Sequence, residues 1–293
     1  MTTPTHPRRL AVLGSTGQLG HAFLRHLESS AVGLGRDQID FTHEDRLEAA
    51  LLAAQPDAVV NATAYNLVDL AESHRAEALV VNFAAPVVLA RICRRQGWPL
   101  LHYSTDYVFG EEALERPYQE QDRPAPMNFY GLSKLMGEQA VLGLHPGALV
   151  FRVAHLFGGP AAPNRQNLVL RFLQQARNQQ PLTASQRQWL NPTCVDDIVT
   201  ASLAVLRSGQ RGLYHLTGDG QCTAAEYAAE ILRLAGVPGV IVEPGPDQRP
   251  ARRPAYSVLD NRRLQEDGFP PMPHWRDALR RYIEKLEAEQ STA

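Results

Sequence analysis

Tyr130 and Lys134 stand four residues apart in the run Tyr130-Gly131-Leu132-Ser133-Lys134, which follows a Ser104-Thr105-Asp106 segment. On a helix that spacing stacks the phenol and the ammonium on one face, about 5–6 Å apart. A free tyrosine has a pKa of about 10, and a neighbouring cation favours the phenolate and draws that value toward neutrality. A phenol tuned in this way gives a proton to a carbonyl oxygen. The Thr105 hydroxyl beside it hydrogen-bonds the same oxygen, so the three groups together suit reduction of a ketone by a hydride donor. An ordinary pair on a helix surface has the same spacing, so support has to come from the elements around it.

The first support lies near the N-terminus. Arg9-Leu10-Ala11-Val12-Leu13 is a short apolar run of strand character, and it leads into Gly14-Ser15-Thr16-Gly17-Gln18-Leu19-Gly20 and a helical pattern over residues 21–27. In such a strand, turn and helix, glycines let the backbone turn tightly and approach a pyrophosphate. The helix start offers it unpaired N–H groups and the positive end of a dipole. A plain turn between strand and helix fits the glycines as well. The next strand, Ala31-Val32-Gly33-Leu34, ends at Gly35-Arg36, where a site selective for NAD carries an acidic residue. Arg36 suits a 2′-phosphate instead, or else is simply solvated. Asp40 and Phe41 are expected to border the adenine, and the small side chains of Ala62, Thr63 and Ala64 let a cofactor come close after a strand over 57–61.

Alternation of helix and strand continues along the chain, with helices over 44–55 and 76–96 and strands over 99–103 and 148–153. This pattern predicts an α/β fold built on a Rossmann-type, doubly wound parallel sheet. The strand over 99–103 delivers Ser104 and Thr105 at its carboxyl end, the edge where such sheets bind ligands. The stretch 110–127, with Gly110, Pro117, Pro124 and Pro126, reads as a loop bordering the substrate. Regularity fades at 158–165. Residues 1–155, with return segments near 190–216, are therefore expected to form the dinucleotide-binding domain, and 156–189 with 217–293 a smaller, partly discontinuous substrate lobe. In that lobe the spacing predicts helices over 167–179 and 223–234. A loop over 244–254 carries Arg249, Arg252 and Arg253, which suit phosphate oxygens or stand solvated.

Composition narrows the function. With 293 residues, 44% hydrophobic and 20% charged, the chain reads as soluble and globular. Its net charge of −2 argues against nucleic acid as a partner. Neither a signal peptide nor a membrane span is expected, which points to the cytoplasm. Three widely spaced cysteines fit reduced thiols better than a disulfide framework or a zinc site. Homo-oligomerisation is left open, because a dimerising helix looks like any other amphipathic one.

With these motifs in place, the chain resembles the extended short-chain dehydrogenases/reductases and, within them, the dTDP-4-dehydrorhamnose reductase group. The resemblance is carried by the glycine segment, by Val60-Asn61-Ala62-Thr63-Ala64-Tyr65, and by His102-Tyr103-Ser104-Thr105-Asp106-Tyr107-Val108-Phe109-Gly110. Tyr130 to Lys134 and Arg253-Pro254-Ala255-Tyr256-Ser257 extend it. It implies a ketoreductase acting at C4 of a nucleotide-linked 4-keto-6-deoxyhexose. NADPH, or alternatively NADH, would deliver the hydride. Tyr130 would protonate the oxygen, Thr105 would assist, and Lys134 would tune Tyr130 and hold the nicotinamide ribose. Gly14, Ser15, Thr16, Gly17, Gln18, Leu19, Arg36, Asp40, Phe41, Ala62, Thr63 and Ala64 would hold the cofactor with Tyr130 and Lys134. Asp106, His155, Trp189 and Arg253 would meet the substrate, and no metal is expected. Two other readings share these motifs: a regulatory subunit similar to the β-subunit of methionine adenosyltransferase, and a reductase of a different ketone.

Overall fold

In the computed structural model, which describes residues 9–35, 38–110, 116–159, 167–245 and 248–291, short apolar strands alternate with helices. The first part runs β1 (Leu10–Leu13), α1 (Gln18–Leu27), β2 (Ala31–Leu34), α2 (Glu44–Ala54), β3 (Ala58–Asn61), α3 (Arg75–Leu79), α4 (Ala85–Gln96), β4 (Leu100–Thr105), α5 (Phe129–Leu144) and β5 (Leu149–Val153). The second part is more broken: β6 (Leu156–Phe157), α6 (Leu168–Arg177), β7 (Leu182–Thr183), β8 (Trp189–Leu190), β9 (Thr193–Cys194), α7 (Val195–Arg207), β10 (Gly212–His215), β11 (Cys222–Thr223), α8 (Ala224–Leu234), β12 (Ile241–Val242), α9 (Arg262–Glu266) and α10 (Trp275–Ser291).

Six strands form one sheet in the order β10-β5-β4-β3-β1-β2, with every neighbouring pair parallel. β1, β3, β4 and β5 are buried along their whole length, as uninterrupted apolar runs must be when helices cover both faces. Alternation along β4 sends Leu101 and Tyr103 to one face, against Phe23 of α1 and Ile198 of α7. Leu100 faces the other way, toward Leu47 of α2, Leu89 of α4 and Val141 of α5. The chain steps from β1 outward to β2, then returns to β3 on the other side. That reversal opens a crevice above the carboxyl ends of β1 and β3.

The helix expected over 76–96 is longer and irregular. α3 and α4 are joined by a π turn at Val80–Ala84, a geometry that is common at functional sites. The turn holds the buried Asn82 amide, whose Oδ1 accepts the Tyr65 N–H and whose Nδ2 donates to the Tyr65 carbonyl and to Ser133 Oγ. One side chain thereby ties the segment after β3 to α5. By length and composition Arg75–Gln96 is apolar enough to cross a membrane. Here its Leu89, Ala90, Ile92 and Cys93 are buried against the sheet.

A second core lies beyond β5. Phe172 of α6, Tyr227 and Ile231 of α8, and Trp275, Leu279 and Ile283 of α10 pack together there. Helix α8 starts on a capping box, with Thr223 Oγ1 accepting the Glu226 N–H and Glu226 accepting the Thr223 N–H. The 17-residue α10 and the short α9 fall in a C-terminal stretch that the sequence reading left undivided. Cys93, Cys194 and Cys222 are buried free thiols.

Candidate active site

The glycine turn sits directly over the crevice. Gly14 has φ +76, and a Cβ there would lie 2.8 Å from the Ala62 carbonyl oxygen, so only glycine lets β1 and β3 approach at this point. α1 begins after Gly17 with no side-chain cap, which leaves its first N–H groups directed at whatever fills the crevice. Gln18 Nε2 donates to the Gly158 carbonyl at 3.0 Å and links the turn to the segment after β6. A cavity of about 1430 Å³ opens here, and Gly14, Thr16, Gly17, Gln18, Leu19, Phe41, Ala62, Thr63 and Ala64 line it. Thr105, Asp106, Tyr130, Lys134 and His155 line its other end. Residues distant in sequence thus share one cleft.

Three expected cofactor contacts do not line it. Ser15 abuts Gly33 of β2, because the turn directs its side chain back toward the strand. Asp40 is occupied locally: its carboxylate accepts the Thr42 N–H and hydroxyl, bonds which hold its pKa at about 2, and it also pairs with His43. Arg36 lies outside the described residues. Ile39, beside Phe41, lines the cavity in their stead.

At the reactive end, β4 and α5 come very close. Asn128 caps α5 by accepting the Gly131 N–H at 2.8 Å. A Cβ on Gly131 would overlap the Tyr107 carbonyl oxygen, so glycine at this point lets the helix start press against the turn that follows Thr105. Tyr130 is thereby hydrogen-bonded to Thr105. Thr105 Oγ1 accepts the Tyr107 N–H at 3.2 Å and donates to Asp106 Oδ1 at 3.1 Å.

The expectation that Lys134 draws the Tyr130 pKa downward does not hold in this structure. Lys134 Nζ donates instead to the Tyr103 carbonyl at 2.5 Å. Burial pushes Tyr130 up to about 12, offset in part by the Thr105 hydrogen bond. Burial also brings Lys134 down to about 8, with the Glu138 carboxylate acting in the opposite direction. Glu138 stands one turn further along the same helix face. Its carboxylate is held by Arg152 of β5, at 2.9 Å to Nε and 2.5 Å to the second nitrogen. Both side chains are fully enclosed.

The four expected substrate residues separate into two pairs. Asp106 and His155 meet in the cavity, with 3.6 Å between Oδ2 and Nε2. Burial pushes the Asp106 carboxyl up and the His155 imidazole down, so the neutral forms of both are favoured. Trp189 and Arg253 lie away from it. Trp189 on β8 pairs with β11 and packs its ring against Tyr256. Arg253 is clamped to both oxygens of Asp69 at 2.6 and 2.8 Å and donates to the Ala251 carbonyl, so its donors are already engaged. The loop expected to border substrate also turns aside. Tyr118 exchanges backbone hydrogen bonds with Val258 and Asp260 and stacks on Phe109.

Sequence reasoning missed Tyr107, Asn167 and Val153, which line the cavity, and Ser257, whose hydroxyl reaches Asp106 Oδ2 at 2.6 Å across 151 positions. Only Ser257 had a signal, its place in the Arg253 to Ser257 run.

A parallel sheet with a glycine turn at its switch point, and a Thr–Tyr–Lys group at the carboxyl end of β4 and on α5, defines an extended short-chain dehydrogenase/reductase. The model of the RmlD substrate binding domain family matches residues 8–288. A probable dTDP-4,6-dihydroxy-2-methyloxan-3-one 4-ketoreductase of Streptomyces antibioticus is 38% identical over 283 residues, 93% of each chain. The dTDP-4-dehydrorhamnose reductase of Mycobacterium tuberculosis is 36% identical over 92% of this chain and 91% of that one. The crystal structure of dTDP-4-dehydrorhamnose reductase from Bacillus anthracis in complex with NADP superposes with a TM-score of 0.89 at 28% identity, covering 95% and 99% of the two chains. This chain belongs to the RmlD substrate binding domain family, the family of the dTDP-4-dehydrorhamnose reductases.

Proposed function

We propose that this protein reduces the 4-ketone of a dTDP-linked 6-deoxyhexose with NADPH as the preferred hydride donor. The observation that carries this is the convergence of Thr105, Tyr130 and Lys134 in the cleft that the glycine turn opens. The residues present fit a dinucleotide: the backbone is stripped of side chains at Gly14 and Gly17, and the uncapped start of α1 offers donors for a pyrophosphate. Thr16, Gln18 and Leu19 would hold the phosphates, Phe41 the adenine, Ala62 to Ala64 the flank, and Arg36 a 2′-phosphate. When bound, the nicotinamide supplies a hydride.

The chain's own groups would do the rest. Tyr130 holds its proton firmly at neutral pH and gives it up only to an oxygen that is gaining charge. The Thr105 hydroxyl orients that oxygen, and the Lys134 ammonium leaves the Tyr103 carbonyl to engage the ribose and favour the phenolate. Asp106 and His155 would face the sugar. Residues 1–155 with the return near 190–216 would bind the dinucleotide, and 156–189 with 217–293 would form the substrate lobe.

The test is an absorbance assay at 340 nm with a dTDP-4-keto-6-deoxyhexose, preceded by calorimetric titration with NADPH and NADH. Oxidation with tighter NADPH binding supports the reading. Binding of either dinucleotide without oxidation would overturn it and favour a regulatory role or another ketone. Arg36→Ala should weaken NADPH more than NADH, and equal losses would remove the 2′-phosphate argument.

A further inference from the structure

We propose that Asp106 and His155 form a relay that returns a proton to Tyr130 through the Thr105 hydroxyl after each turnover. The idea rests on the reductase reading above, in which Tyr130 loses one proton per cycle. Tyr130 is enclosed, so its proton has to travel back through neighbouring groups.

The hydrogen bonds form one line. Tyr130 bonds Thr105, Thr105 Oγ1 bonds Asp106 Oδ1 at 3.1 Å, and Asp106 Oδ2 lies 3.6 Å from His155 Nε2. The Thr105 hydroxyl is suited to the middle of such a line. It has one proton and two lone pairs, and the Tyr107 N–H holds it in place from the side. Ser257 fixes the carboxylate from the opposite side. His155 closes the line at the cavity: its Nε2 is enclosed and has no hydrogen-bond partner, and its side chain is 18% exposed. It reaches this position through a left-handed backbone conformation, φ +45, unusual for a residue other than glycine. Such strain gathers at functional sites.

The proton balance is simple. Once product leaves, the Tyr130 phenolate takes the Thr105 hydroxyl proton, Thr105 takes a proton from the Asp106 carboxyl, and Asp106 takes one from the His155 imidazolium. His155 is recharged by water in the cavity. The step moves one proton inward and transfers no electrons. The raised Asp106 and lowered His155 pKa values are consistent with a resting proton on the carboxyl.

The test compares one turnover with many. Enzyme preloaded with NADPH is mixed with a dTDP-4-keto-6-deoxyhexose in a stopped-flow instrument, for the wild type, Asp106→Asn and His155→Gln. The expected result is a first turnover at the wild-type rate in both variants. Steady-state kcat should fall about 100-fold in Asp106→Asn, with a larger solvent deuterium effect, and added imidazole should restore part of it in His155→Gln. Because either variant is open to misfolding, thermal melts and NADPH binding by calorimetry accompany the kinetics. Equal loss of the first and later turnovers, or a raised KM with unchanged kcat, would overturn the relay and leave the reductase standing. A wild type that oxidises no NADPH would overturn both.

Discussion

The carboxyl edge of the sheet and the lobe beyond β5 use their polar groups in opposite ways. At the sheet edge, Thr105, Tyr130 and His155 point into a cleft and are bonded only to one another or to backbone. In the lobe and its adjoining loop, Arg253, Trp189 and Tyr118 are spent on Asp69, Tyr256 and Phe109. The difference teaches that a residue type suited to a ligand becomes available only where the scaffold leaves it no internal partner. Behind the edge, enclosed groups such as Glu138 and Arg152 are fully paired, which lets the groups in front remain open.

Replacing Tyr130 with Phe strikes the edge at its centre. Turnover should fall by about 10²–10⁴-fold while NADPH affinity, read by calorimetry, changes little; an undiminished rate would remove Tyr130 from the chemistry. Glu138→Gln should cost about 3–5 kcal/mol in urea denaturation, because it leaves the enclosed Arg152 cation unpaired. A loss below about 1 kcal/mol, the level of an exposed pair, would show that solvent reaches the pair.

Lys134 sharpens the contrast through pH. Its folded pKa of about 8 lies below the ordinary 10.5, so between those values the unfolded chain binds the extra proton. Stability should therefore rise as pH climbs from 8 toward 10.5, by up to about 1.4 kcal/mol per unit from this residue. Lys134→Met should abolish that component, and an identical pH dependence in the mutant would sink the assignment. Gly131→Ala, which sets a methyl against the Tyr107 carbonyl, should cost about 1–3 kcal/mol and slow turnover. Arg253→Ala stands at the small end. The partly exposed pair with Asp69 should contribute at most about 1 kcal/mol, and a large rise in KM instead would restore Arg253 to the substrate site.

Much of the sheet edge could be read directly. Burial on both faces demands continuous apolar strands, and tight turns demand glycine, so β1, the Gly14 turn and α1 leave a local signature. The four-residue spacing from Tyr130 to Lys134 is equally local. The π turn at Val80–Ala84 was not legible, since nothing in an apolar helical run announces one extra residue. Nor was the Ser257 contact, which joins positions 151 residues apart.

The sequence by itself determined the alternating architecture, the family and the Thr105, Tyr130 and Lys134 set, because each depends on residue type and short spacing along one element. Only the tertiary structure decided that Arg253 is held by Asp69, that Trp189 packs on Tyr256, and that Lys134 rests on the Tyr103 carbonyl. Partner choice of that kind is set by which side chains the packed elements bring within bonding distance, and short-range pattern carries no record of it.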